Sequence, residues 1–180
     1  MLEILEMAYL AMTAEALGKC IPDKSIGSIL ELDLAWLSKN RIKCVIFDAD
    51  NTLFPHHAKK ADAKVLAFLK TLSKKYRLGI ASNSPNKKRI SGLDAYFKSK
   101  GVKILVSKGN RRKPCPDQFD YLAKAFRSKP KECVMVGDNL FTDIAGAKLY
   151  GMKAVKVKPY DPKSEPMYFM FMRLVEHILS

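Results

Sequence analysis

Two rhythms of hydrophobic and polar positions alternate along this chain. Short apolar-rich runs occupy residues 42–47 (IKCVIF), 77–82 (RLGIAS), 102–107 (VKILVS), 132–136 (ECVMV) and 153–158 (KAVKVK). Runs of this length suit strands covered on both faces. Between them the spacing becomes helical. Val65, Phe68, Leu69 and Leu72 fall at i, i+3, i+4 and i+7, and Phe119, Leu122, Ala123 and Phe126 repeat the pattern. Residues 86–98 also read as helix. Pro116 stands near the start of the helix containing Phe119, where proline is tolerated. A short helix is predicted after Thr142, with Gly151 as its C-terminal cap.

Upstream, Leu2, Leu5, Tyr9, Met12 and Ala16 form one helical stripe. Residues 1–40 are therefore predicted as a helical extension packed on the domain, and residues 165–180 as a terminal helix after Pro159 and Pro162. No internal repeat and no low-complexity tract interrupts the pattern. Strands alternating with helices predict a single α/β domain over residues 1–180. Its expected form is a Rossmann-like three-layer sandwich: a five-stranded parallel sheet with helices on both faces. In such sheets ligands bind at the carboxyl ends of the strands.

Those strand ends carry the chemistry. The first run ends in Asp48-Ala49-Asp50-Asn51-Thr52, the second in Ser82-Asn83-Ser84. The third leads to KGNRRKP with Lys113, and the fourth to Gly137-Asp138-Asn139, with Thr142 and Asp143 beyond. Any one of these, alone, reads as a turn, a cap or a solvated lysine. Four polar clusters delivered in order to one sheet edge do not. Clustered carboxylates without His or Cys ligands suit a hard, oxygen-loving cation, Mg²⁺ above all. Such an ion would also relieve the repulsion between Asp48 and Asp50. A lysine and hydroxyls beside the metal suit a phosphoryl group. One carboxylate can then act as nucleophile and another as general acid and base.

Charge and cysteine content narrow the setting. Lys and Arg number 32 against 18 Asp and Glu, a net charge of +14. A surface of this sign attracts nucleic acid, anionic lipid or phosphorylated substrates, or serves solubility alone. The basic residues come in doublets and triplets, such as Lys87-Lys88-Arg89 and Arg111-Arg112-Lys113, with no long basic arm. That argues against nucleic acid. Cys20, Cys44, Cys115 and Cys133 form no C-x-x-C pair, so neither a zinc knuckle nor a redox dithiol is indicated. They fit a reducing, cytoplasmic setting. No stretch is long and apolar enough for a membrane span, and the acidic N-terminal segment lacks the features of a secretory or transit peptide.

The set DADNT, SNS, KP and GDNLFTD resembles the four motifs of the haloacid dehalogenase superfamily of phosphotransferases, across about residues 42–158. The resemblance implies Asp48 as nucleophile and metal ligand, and Asp50 as the acid/base residue lending its backbone carbonyl to the metal. It implies Thr52, Ser82, Asn83 and Lys113 around the phosphoryl group. Asp138 would be a Mg²⁺ ligand, and Asp143 a ligand or a neighbour of one. An acid at position 50 favours phosphate ester hydrolysis over dehalogenation.

The intervals 55–76 and 85–112 are too short for an inserted cap domain, so an open site is expected. Residues 20–165 are further similar to the phosphatidylglycerophosphate phosphatase branch, a capless group acting on an anionic phospholipid. Asn139, Ser84 and Ala49 depart from its usual residues. A lipid substrate and peripheral docking on anionic membrane fit both the charge and the apolar run MYFMFM (167–172). That run equally suits a buried terminal helix or a dimer contact. Other large substrates, a polynucleotide end or a phosphoprotein, suit an open site as well, and a non-catalytic phosphate- or nucleic-acid-binding module is the remaining alternative. His56 and His57 stand either at the pocket mouth or in a solvated loop.

Overall fold

The computed structural model describes residues 18–55, 58, 60–84 and 86–161. The predicted helices over residues 2–16 and 165–180, the MYFMFM run, and His56 and His57 lie outside the described residues.

Six strands form one parallel sheet: β1 (Lys24–Ile26), β2 (Cys44–Phe47), β3 (Arg77–Ile80), β4 (Ile104–Val106), β5 (Cys133–Gly137) and β6 (Lys153–Val157). Their spatial order is β1-β6-β5-β2-β3-β4. The five apolar-rich runs correspond to β2–β6. The sixth strand, β1, corrects the expected strand count; it lies within residues 1–40, where a helical extension was expected. It is three residues long and carries no periodicity of its own. Its neighbour Asp23 supplies the register instead. The Asp23 amide donates to Ala154 O at 2.8 Å. Its carboxylate accepts from Ala154 N at 2.9 Å and from Lys153 and Lys148 at 3.0 and 3.2 Å. Burial raises the Asp23 carboxyl, but these donors outweigh it and hold the group below the usual carboxylate range.

Helices cover both faces. Val45, Phe47, Leu78, Ile80, Val134 and Val136 point into one apolar layer, under α2 (Ala63–Leu72) and α3 (Lys87–Ser99) and the short α1 (Leu34–Lys39). Cys44, Ile46, Cys133 and Met135 point into the other, under α4 (Asp117–Ala125), a π-helical segment (Leu140–Ala145) and α5 (Gly146–Leu149). This is the alternation of a strand sandwiched between layers. Cys44 and Cys133 are fully buried, as apolar residues would be. Gly79 lets α4 come close, since a Cβ there would meet both Leu122 methyls at 3.0 Å. The expected Gly151 cap is present, with φ of 86°. The helix expected after Thr142 instead starts earlier, in the π-helical segment at Leu140, because Asn139 caps it by accepting from Phe141 N and Thr142 N.

Chain direction reverses around the sheet centre. From β2 the chain moves outward through β3 and β4; from β5 it moves the other way to β6. The crevice between the carboxyl ends of β2 and β5 is therefore the topological switch point. The interval between β2 and β3 holds α2, and that between β3 and α4 holds α3 and β4, with no cap domain among the described residues.

Candidate active site

Each site residue is placed by a strand end. β2 and β5 run in register through Phe47 and Val136, and the Asp48 amide donates to Val136 O at 3.0 Å. Asp48 and Asp138 thus leave neighbouring strands side by side. After Asp48 the chain makes a tight turn: Asn51 has φ of 62°, a conformation asparagine tolerates better than most residues. The turn is anchored on the far side, where Tyr160 N donates to Asn51 O and Asp161 N to Asn51 Oδ1.

Asp48, Asp138 and Asp143 bring carboxylate oxygens within 4.8 Å of one another. All three are buried, and so is Lys113, which is 2% exposed. Lys113 Nζ donates to Asp48 Oδ1 at 2.7 Å and to Asp143 Oδ1 at 2.6 Å. Asp143 Oδ2 accepts from Asn139 N at 3.0 Å. Thr52 Oγ1 donates to Asp138 Oδ1 at 3.0 Å. Gly137 makes this arrangement possible. A Cβ at that position would lie 2.3 Å from Asp143 Oδ2 and 2.6 Å from its Cβ.

The charges do not balance. Three buried carboxylates face one ammonium, an excess of two negative charges when all are ionised. Burial pushes the Asp48 carboxyl well above the usual range; Lys113 opposes the rise, and Asp143 and Asp138 add to it. Burial alone would lower Lys113, but Asp143 and Asp48 outweigh it and hold its ammonium above the usual lysine range. A divalent cation would remove the mismatch, and an all-oxygen donor set suits Mg²⁺. The residues present therefore fit the ion that the motifs imply.

Asn83 is committed to the main chain of Lys113: Nδ2 donates to Lys113 O at 2.8 Å and Oδ1 accepts from Lys113 N at 2.7 Å. Gln118 on α4 braces the same loops, reaching Ser82 O, Asn83 Oδ1 and Arg111 O at 3.2–3.3 Å. The Ser82 hydroxyl accepts from Ser84 N at 3.2 Å. Asp50 turns away from the carboxylate cluster and meets Arg89, whose Nη1 and Nη2 donate to its two oxygens at 2.8 and 2.9 Å.

Sequence reasoning named the eight polar residues but gave no role at the site to Gly137, Gln118 or Arg89. Gly137 lies next to Asp138 in the quoted motif, which was the available signal. Arg89 was read only as one of a basic triplet, and Gln118 carried no signal at all.

This switch-point sheet, with an acidic cluster and a buried lysine gathered from the segments after β2, β4 and β5, is that of a haloacid dehalogenase-type phosphatase. The chain belongs to the family described as mitochondrial PGP phosphatase, whose sequence profile matches residues 9–159. It is 26% identical over 162 residues to the probable phosphatase YqeG of Bacillus subtilis, covering 89% of this chain and 90% of that one. It is 33% identical over 106 residues to human N-acylneuraminate-9-phosphatase, covering 58% of this chain and 42% of the relative. Its fold matches the crystal structure of a Listeria monocytogenes protein with a TM-score of 0.52 at 19% identity, over 74% of this chain and 99% of that one.

Proposed function

We propose that this phosphatase is a Mg²⁺-dependent phosphomonoesterase that works through an aspartyl-phosphate on Asp48, and that its substrate is phosphatidylglycerophosphate. The observation that carries the chemistry is the gathering of Asp48, Asp138 and Asp143 at the switch point, with Lys113 bonded to Asp48 and Asp143. The substrate rests on the family match and on the lack of a cap domain among the described residues, which leaves room for a headgroup presented from a bilayer. The net charge of +14 favours that surface, at roughly 1 kcal/mol per basic residue close to it. No helix among the described residues is long and apolar enough to cross a membrane.

Asp48 attacks phosphorus, and the phosphoryl group passes to its carboxylate as the ester bond breaks. Asp50 gives a proton to the departing alkoxide, then takes one from the water that cleaves the acyl phosphate. Lys113, with the Thr52 and Ser82 hydroxyls, faces the phosphoryl oxygens. Asn83 holds Lys113 in place through its main chain. Asp138 and Asp48 would ligate Mg²⁺, with Asp143 beside them orienting Lys113. When bound, the ion supplies positive charge against the phosphoryl oxygens.

Hydrolysis of the lipid in mixed micelles, against sugar phosphates, phosphopeptides and end-phosphorylated oligonucleotides, tests the substrate. Preference for any of the latter would overturn it. Asp48→Asn should abolish turnover of every substrate in the presence of Mg²⁺, and retained activity would remove Asp48 as nucleophile.

A further inference from the structure

Arg89 stands in the first turn of α3, far in sequence from the nucleophile loop. Asn86 caps this turn by accepting from Arg89 N at 2.9 Å. The side chain reaches back across the loop after β2. There its guanidinium holds both oxygens of Asp50 and donates through Nη2 to Ala58 O at 3.1 Å. It also lies over the Phe54 ring, 5.1 Å from the centroid. The side chain is 11% exposed, and its Nε is buried without a hydrogen-bond partner among the described residues. A buried guanidinium with an unused donor, beside a phosphate-ester site, is a group built to receive a further acceptor.

The pairing also constrains the chemistry. The paired contact takes one acceptor position on each Asp50 oxygen and turns the carboxyl toward Arg89. Releasing the guanidinium frees the carboxyl to turn to a leaving oxygen. Thr52, Ser82 and Lys113 already serve the phosphoryl group that is transferred. The natural replacement is a second anion on the same substrate, whose charge equals that of the carboxylate it displaces.

We propose that Arg89 is a substrate-recognition residue that exchanges Asp50 for a second phosphate of the substrate. The enzyme thereby selects monoesters carrying a phosphodiester next to the alcohol that leaves. This inference rests on the phosphatase reading of the site. A phospholipid headgroup with both a terminal monoester and an internal diester has this chemistry, and the family match favours it as the source. A phosphorylated oligonucleotide end shares the same chemistry.

The test compares three substrates on the full-length protein with Mg²⁺: glycerol phosphate, the water-soluble headgroup glycerophosphoglycerol phosphate, and a 3′-phosphorylated dinucleotide. The first two carry the same glyceryl monoester linkage and differ in the second anion. Wild type should favour the headgroup over glycerol phosphate by at least tenfold in kcat/KM. Arg89→Ala should lose most of that preference, mainly through a higher KM for the headgroup. Arg89→Lys, charged but unable to form the paired contact, should fall between. An equal fall in kcat for both glycerol substrates in Arg89→Ala, with the preference intact, would make Arg89 a positioning residue for Asp50 and overturn the proposal. A wild-type preference for the dinucleotide that vanishes in Arg89→Ala would overturn the lipid source. Wild-type protein inactive on all three would instead refute the phosphatase reading beneath it, and thermal melts show that each variant is folded.

Discussion

Gly137→Ala isolates the position of Asp143 from its identity. Gly137 closes β5 without a positive φ, so alanine meets no backbone objection there. The difficulty is the new methyl, 2.3 Å from Asp143 Oδ2 and 2.5 Å from Cγ. Ordinary contact requires about 3.4 Å or more, so the carboxylate must retreat by roughly 1 Å. Asp143 then loses its bond from Asn139 N, and its 2.6 Å contact with Lys113 lengthens. A misplacement of this size costs about 100-fold in rate when the group orients the reacting centre. The stability cost is that of one or two buried charge-assisted bonds, about 1.5–3 kcal/mol, or roughly 3–12 °C in Tm for a chain of this length. The assay is kcat for an aryl phosphate at saturating Mg²⁺, with circular-dichroism melts of both proteins. A Gly137→Ala protein with wild-type kcat would show that Asp143 need not sit where it does, and the account of the site would fail with it.

Three further outcomes follow from the same geometry. Mg²⁺ at 100 times its Kd should stabilise the protein by about 2.7 kcal/mol, seen as a rise in Tm of roughly 5–11 °C; EDTA should remove the rise and Asp138→Ala should prevent it. Asn83→Ala deletes both bonds to the Lys113 main chain, so about 1–3 kcal/mol of stability should be lost by urea denaturation, and KM should rise more than kcat falls. Asp23 titrates below its ordinary 3.8 when folded. Its contribution is therefore complete above that pH and lost as pH falls through the lower folded value. Asp23→Asn should be less stable than wild type at pH 7, with the gap closing below about pH 4 in melts across that range; a gap independent of pH would count against the charge.

The parts legible in the sequence were those whose cause is local. Buried parallel strands announce themselves as apolar runs, and whatever must sit at their carboxyl ends follows directly, so Asp48, Ser82, Lys113 and Asp138 could be read in order. Strand β1 could not, because three residues have no period and their place is set by Asp23 docking on Ala154, some 130 residues away in sequence. Arg89 was hidden for a related reason. A basic triplet at a helix start looks the same whether it meets water or Asp50, and only the fold folds one side chain inward. Asn83 was read from its position in SNS as a contact for phosphate; the structure shows its amide engaged by Lys113, a pairing between two loops that no spacing encodes.

The clamp between Asn83 and Lys113 has a consequence for how the protein comes to be active. Three contacts of the cluster join segments remote along the chain: Lys113 and Asp48 are 65 residues apart, Thr52 and Asp138 86, Lys113 and Asp143 30. None can form until β2 has paired on both sides, with β3 and with β5, and long-range parallel pairing is slow to nucleate. Catalytic competence should therefore emerge late in folding, after most secondary structure, and a nascent chain still lacking β5 would hold Asp48 and Lys113 without Asp138 and Asp143 beside them.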